Sequence, residues 1–413
     1  MEQINKKKYY WLLILACFFV YIATICIKKV YSSELVAIIE AFGETKARAS
    51  LGTTAYYTTY FITQIVLAPF MKKINVGKFM VITICLSSVL YGIIPYTTNL
   101  YHIWIIQALN GILHSSVWGG CMYFFGKYLP KDMNGIASSI MSVGFVGGTV
   151  VSYVIAPFFI KNGIWKYAFL LFAVILFASV ISFIFVERKV EKVLGDVNTK
   201  ERADITLDNS PKEEKSVGLH YAYIAVIITA IISLVSNIAY YAFTDWFPIY
   251  LIEIFNKETT YSVVVTVVLY VFSFIFINGG IMLCERGKNG MSKVLFAFGA
   301  IAAVVAIVQS FAYKSNLILA IAFSTLIVAL IRAIVAILST YMPLKINDKV
   351  NAATTSMIVN ATASLAAAIG PTLLGGVVDV SGWTSFFIIM AVICGISFVL
   401  ILASNFYFKK LNI

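Results

Sequence analysis

From Tyr9 to Ile27 the chain reads "YYWLLILACFFVYIATICI", nineteen residues without a charged side chain. Stretches of this kind recur to the end of the sequence, and each can cross a hydrocarbon core about 30 Å thick. In that solvent no water is present to satisfy backbone N–H and C=O groups. A spanning segment must therefore close its hydrogen bonds within itself, as a helix does. Polar breaks divide the 413 residues into twelve predicted spans, at about 9–41, 47–71, 76–95, 100–128, 132–160, 164–187, 219–255, 259–284, 291–311, 315–345, 349–376 and 382–408. The expected fold class is an all-α polytopic membrane protein. Composition agrees, since 61% of residues are hydrophobic and only 12% are charged, which excludes an ordinary soluble domain. The basic start before the first run imitates a secretory signal. The run is too long for one, however, and no small-x-small cleavage site follows, so it reads as a retained first span.

Charge sets the expected orientation. With both termini in the cytoplasm, the inner segments hold 22 of the 31 Lys and Arg residues and the outer loops hold six. This excess follows the positive-inside rule and puts both ends in the cytoplasm; the expected location is the plasma (cytoplasmic, or cell inner) membrane, crossed many times. The same excess also accounts for the net charge of +12 without nucleic acid as a partner. The six cysteines lie in or beside apolar runs without CxxC spacing and read as small buried hydrophobes, so neither a metal nor a cofactor is expected.

Three cations remain inside the spans: Lys28, Lys29 and Arg332. Each costs roughly 2.5–3.5 kcal/mol on insertion scales unless it faces water or a partner. Lys29 can snorkel along its aliphatic stem or serve a structural role, and the sequence weighs the two equally. Lys28 shares a helical face with Tyr21, Thr24, Tyr31 and Ser32, a polar stripe suited to a cavity. An ion pair with Glu34 is the competing reading, although six positions separate the two on the helix. Arg332 has no acid in its own span. It supplies either a second cation for an anion or one member of a structural pair with an acid elsewhere, such as Asp245. His114 shares a face with Gln107, Asn110 and Trp118 and serves equally well as a substrate ligand, a proton relay or a structural histidine. Tyr56, Tyr57, Tyr60 and Gln64 give the second span a polar aromatic side.

The segment 188–218 is the one long polar stretch, and it separates a first half (1–187) from a second (219–413). The halves echo one another. "DMNGIASSIM" (132–141) resembles "DKVNAATTSM" (348–357), and "KNGIWKYAFLL" (161–171) resembles "VSGWTSFFIIM" (380–390) at nearly the same offset. Two such pairs point to a duplicated six-helix unit. Parallel repeats of this kind are typical of major facilitator transporters, whose substrate sites lie at the repeat interface near the midplane. The small-residue segments "GFVGGT" (144–149) and "GPTLLGG" (370–376) suit close helix packing and bending.

Finer motifs resemble one branch of that superfamily. "WGGCMYFFGKYLPKDMNG" (118–135), "TDWFPIYL" (244–251) and "VVDVSGW" (377–383) are similar to elements of the bacterial organophosphate:phosphate antiporters, which carry glycerol 3-phosphate or hexose 6-phosphate. The resemblance implies that Lys28 stands where those proteins have a phosphate-binding arginine, and that Tyr21 and Tyr60 line the same site. It also shows departures: Tyr240 replaces the partner arginine of the seventh span, Gly144 and Phe145 occupy the place of a fifth-span histidine, and Lys72-Lys73 replaces an acidic-basic pair.

The expected function is secondary active transport of a small organic anion, organophosphate or carboxylate, by alternating access and anion exchange in a monomer. Lys28 and Arg332 would hold its charge, and Tyr21, Tyr60, Tyr240 and His114 would complete the site. Proton symport of a carboxylate or sugar acid is the alternative, with Glu34, Asp245 or His114 as carriers. A membrane enzyme would need a nucleophile–base set or clustered acids, and the sequence offers no Walker loop, HExxH motif or paired aspartates. A non-transporting sensor with the same fold is the remaining alternative.

Overall fold

The computed structural model describes residues 2–67, 74–194, 216–286, 289–346, 350 and 352–410. All regular elements among these residues are helical. They are α1 (Glu2–Ser33), α2 (Leu35–Phe42), α3 (Lys46–Ala49), α4 (Leu51–Leu67), α5 (Val76–Ile93), α6 (Leu100–Tyr128), α7 (Lys131–Lys161), α8 (Lys166–Leu194), α9 (Ser216–Phe255), α10 (Thr259–Cys284), α11 (Gly290–Ala312), α12 (Leu317–Ala336), α13 (Met342–Lys345) and α14 (Ala352–Lys410). A π-helical stretch, Ile337–Tyr341, joins α12 to α13. The predicted spans map onto these helices. The first is α1 followed by α2, the next nine are α4 to α12, and the last two are the arms of α14 on either side of Gly382.

Among the described residues nine helices are long and apolar enough to cross a membrane, with α14 counted once. The expected spans outside that set are α4, described over 17 residues, and α6. A reason is visible in α6, which carries Gln107, Asn110, His114, Ser115 and Ser116 within ten residues. The Lys72-Lys73 pair and residues 195–215 of the expected linker lie outside the described residues.

Asparagine marks several helix starts. The side chains of Asn75, Asn99 and Asn316 accept from the backbone N–H groups of Lys78 (3.1 Å), Tyr101 (2.9 Å) and Ile318 (2.8 Å). Each satisfies an amide that a helix N-terminus leaves without a partner, which is why the spans begin there. One boundary differs from expectation. The predicted span 9–41 is interrupted at Glu34, whose φ of −94° and ψ of 6° fall outside helical values. Ser32 and Ser33 precede it, side chains that compete with the helix for backbone groups. The kink inside α14 needs a residue with positive φ, and Gly382 supplies it with φ of 73°.

The chain forms two compact units. The first comprises Met1–Tyr31 and Thr59–Glu213, and the second comprises Ser32–Thr58 and Glu214–Ile413. In the first unit α5 packs on α6 and α8, while α7 approaches α1 closely. A Cβ on Gly148 would lie 2.9 Å from the Ile22 carbonyl oxygen. The second unit repeats the device. There α9 packs along α14, and a Cβ on Gly370 would lie 2.7 Å from the carbonyl oxygen of Ile238 on α9. The small-residue segments thus bring backbones into contact in both units, as their composition suggests.

Candidate functional site

Each unit presents a half-buried cation over a tyrosine ring. In the first unit Lys28 Nζ stands 4.8 Å from the centroid of Tyr60, which is 8% exposed. Gln64 Nε2 donates to the Tyr60 hydroxyl at 3.0 Å and so holds the ring from the next helical turn. Tyr21, also half-buried, lies 5.3 Å from Trp118 between ring centroids. The rest of the expected polar stripe is buried: Thr24, Tyr31 and Ser32 are 5% exposed or less, and the Thr24 hydroxyl donates to Val20 O in its own helix at 2.8 Å. Of that stripe, Tyr21 and Lys28 are the members that retain exposure.

Lys29 is buried, which favours the structural of its two readings. It is 1% exposed, so its ammonium does not snorkel to the protein surface.

His114 is 1% exposed and part of a seam between α5 and α6. Ser87 Oγ donates to Asn110 Oδ1 at 2.5 Å and lies 2.7 Å from His114 Nε2. A serine hydroxyl has one proton, already directed at Asn110, so His114 Nε2 carries the hydrogen and donates to Ser87. The seam continues on both sides, with Tyr91 donating to Gln107 Oε1 at 2.9 Å and Thr83 and Ser116 hydroxyls 2.9 Å apart. The α5 partners were not singled out in the sequence. Their signal was a polar repeat every four residues, Thr83, Ser87 and Tyr91, inside an apolar helix.

In the second unit Arg332 Cζ lies 5.2 Å from the Tyr240 ring, which is 1% exposed. Tyr240 continues into an aromatic chain, with Tyr241 at 5.1 Å between centroids and Tyr57 a further 5.6 Å beyond. Asp245 is 2% exposed and, like Arg332, acts electrostatically on both Tyr240 and Tyr241. The structure therefore brings Arg332 and Asp245 to the rings of Tyr240 and Tyr241 and adds Tyr57, named above only as part of a polar aromatic side, and Tyr241, which the sequence did not single out. Glu34 is completely buried at the α1–α2 break, and neither of its carboxyl oxygens has a hydrogen-bond partner among the described residues.

A cation within about 6 Å of a ring face is attracted by the negative face of the ring. This construction, the helical spans and the duplicated glycine contacts meet a family match that covers most of the chain. The model of the Major Facilitator Superfamily matches residues 13–357. The chain belongs to this superfamily.

As a major facilitator protein it is a multi-pass membrane transporter and not an enzyme. No characterised relative matches it in sequence. Among solved structures, a bacterial homologue of the human lysosomal transporter Spinster, inward-facing and occupied, aligns with a TM-score of 0.75 at 11% identity, covering 98% of both chains. A POT family transporter in complex with a thioalcohol-conjugated peptide aligns with a TM-score of 0.75 at 13% identity, over 97% of this chain and 96% of the other. A POT family transporter in complex with 5-aminolevulinic acid gives 0.73 at 12%, with the same coverage. At such identities the likeness concerns the fold.

Proposed function

We propose that this transporter carries a small organic anion and exchanges it for another, with Lys28 and Arg332 supplying positive charge to the substrate. The observation that carries the reading is the matched construction in the two units: Lys28 over Tyr60 in one, Arg332 over Tyr240 in the other. Lysine offers a compact charge, whereas the guanidinium adds a fork suited to a phosphate or carboxylate. Tyr21 and Tyr240 line the site with their rings. His114 contributes as part of the seam that braces α6, and the transporter works as a monomer in the plasma membrane with both termini cytoplasmic.

Counterflow in proteoliposomes tests this. Vesicles loaded with inorganic phosphate, glycerol 3-phosphate, glucose 6-phosphate, a monocarboxylate or a dicarboxylate are challenged with the same labelled anion outside. Exchange of at least one anion, abolished in Lys28→Gln, is the expected result. Exchange of neutral or cationic solutes alone would sink the reading.

Glu34 favours a second reading, proton-coupled uptake of a carboxylate or sugar acid. A buried carboxyl whose oxygens lack hydrogen bonds is costly when ionised and so suits a group that carries a proton. Accumulation driven by an imposed pH gradient, lost in Glu34→Gln while counterflow persists, would favour it over pure exchange.

A further inference from the structure

The polar seam between α5 and α6 occupies one side of that pair, and an open groove runs along the other. Its floor is aliphatic, formed by Leu86, Val89 and Leu90 of α5 with Leu109, Ile112 and Leu113 of α6. Leu86, Val89, Leu109 and Ile112 are each between 42% and 60% exposed, so among the described residues nothing covers it. One helical turn further, at Ile93 and Ile105, the groove passes into a second hollow with polar walls that include Tyr96, Thr97, Thr98 and His102. Leu86 and Tyr96 are ten positions apart, about 15 Å at 1.5 Å per residue, and half of a hydrocarbon core is equally long. The groove thus has the length of one leaflet. Tyr96 and Tyr101 are exposed at its polar end, and amphipathic rings of this kind settle at headgroup level.

Charge selects the occupant at that end. The Lys166 ammonium donates to the Thr97 carbonyl oxygen at 2.6 Å and lies 5.5 Å from the Trp165 ring, which sets a half-buried cation beside the polar hollow. His102 stands exposed in the same walls. Between Glu44 and Glu187 the sequence has one acid, Asp132, and it stands in the first turn of α7, whereas Lys166 follows the last. We infer that the groove holds an anionic phospholipid, with an acyl chain on the aliphatic floor and the phosphate beside Lys166 and His102. The phosphate supplies a negative charge that α5, α6 and the α7–α8 turn do not. An amine-bearing headgroup would find no carboxylate from these elements to accept its ammonium, so phosphatidylglycerol is preferred over phosphatidylethanolamine. The bound chain braces the helix pair from the lipid side, as the seam braces it from within.

Photolabelling of the full-length protein in phosphatidylcholine nanodiscs tests the site, with a diazirine on the acyl chain of either phosphatidylglycerol or phosphatidylethanolamine. Mass spectrometry then locates the adducts. Phosphatidylglycerol labelling should concentrate in peptides 86–93 and 105–113, above the exposed face of α8, and the ethanolamine probe should label these peptides less. Lys166→Gln should lower the phosphatidylglycerol labelling about fivefold, the effect of one basic residue at an anionic membrane surface, and Lys166→Arg should retain it. Ile112→Trp fills the floor and should lower labelling by both probes; its position is exposed, so the fold does not depend on it. Labelling spread alike over α5, α6 and α8 would mean ordinary surrounding lipid only and would overturn the inference, as would equal labelling by the two probes. A groove unlabelled by both probes in a protein that runs as a dimer would assign it to a second copy of the chain and overturn the inference also.

Discussion

Gly148 touches the backbone of α1 at Ile22, where a Cβ would sit 2.9 Å from the carbonyl oxygen, and the oxygen of a helical backbone cannot step aside as a flexible side chain can. Gly148→Ala must push α7 away from α1. A loss of about 1–3 kcal/mol is expected, the usual range for overpacking. Gly370→Ala should behave alike against Ile238. Gly395→Ala is the control: nothing lies within 4 Å of its added Cβ, so it should be neutral or gain a few tenths of a kcal/mol from helix propensity. Thermal unfolding in detergent measures all three.

For the cations, Lys28→Gln and Arg332→Gln should each weaken anion binding by roughly 2–5 kcal/mol, the range for truncating one partner of a buried charge pair. Lys28→Arg should retain function, and Arg332→Lys should lose the fork geometry. Binding measured by thermal shift against the anion series separates the variants. Normal affinity in Arg332→Gln would return that residue to a structural role. Lys29→Gln should instead change the yield and melting temperature of the protein, as expected for a side chain that is 1% exposed.

The rings beneath the cations can be tested apart from the charges. Tyr60→Phe and Tyr240→Phe keep the aromatic face and should bind the anion within a few-fold of wild type. Tyr60→Leu and Tyr240→Leu remove it and should cost about 0.5–2 kcal/mol. Equal losses in the Phe and Leu variants would assign the effect to the hydroxyls.

The α5–α6 seam predicts coupling. Ser87→Ala and His114→Gln should each lower stability, and the double variant should lose less than the sum. The interaction energy should fall near the 0.6 kcal/mol average for hydrogen bonds between membrane helices, with about 1.7 kcal/mol as the upper end. A double-mutant cycle of unfolding free energies decides it, and strict additivity would mean the contact contributes nothing.

Orientation is open to labelling. In a variant without native cysteines, a cysteine at Asn198 should react with an impermeant reagent from the cytoplasmic side and one at Asn162 from the opposite side. The reverse pattern would overturn the charge-based topology.

The spans were legible because period, length and charge are local properties, whereas the capping by Asn75, Asn99 and Asn316 was seen only in the structure. The tyrosine and cation residues of the candidate site were legible for a related reason: polar groups are conspicuous in apolar helices. What connects them was not. Asp379 meets Lys46 across more than three hundred residues, and nothing near either residue announces the other. The "VVDVSGW" segment was visible as a motif, while its physical content emerged only in three dimensions: an acid on two amides, a left-handed glycine and a tryptophan N–H on Glu253. The break at Glu34 was missed because apolar residues resume directly at Leu35, so the polar residues before it read as part of one long span. For Lys29 the sequence left snorkelling and a structural role equally open, because helix position alone does not reveal which side its neighbours enclose, and its burial favours the structural role.

The burial of Lys29 also bears on how the chain is made. Ribosomes deliver α1 before any of the helices that will surround it, so for a time this lysine has lipid, headgroups or the insertion machinery as its environment. The apolar residues ahead of it must hold α1 in the bilayer through that interval, against a cost of roughly 2.5–3.5 kcal/mol for a cation at mid-membrane depth. Only the arrival of later helices encloses the side chain. The side chain therefore reaches its enclosed position only once the helices that surround it are in place.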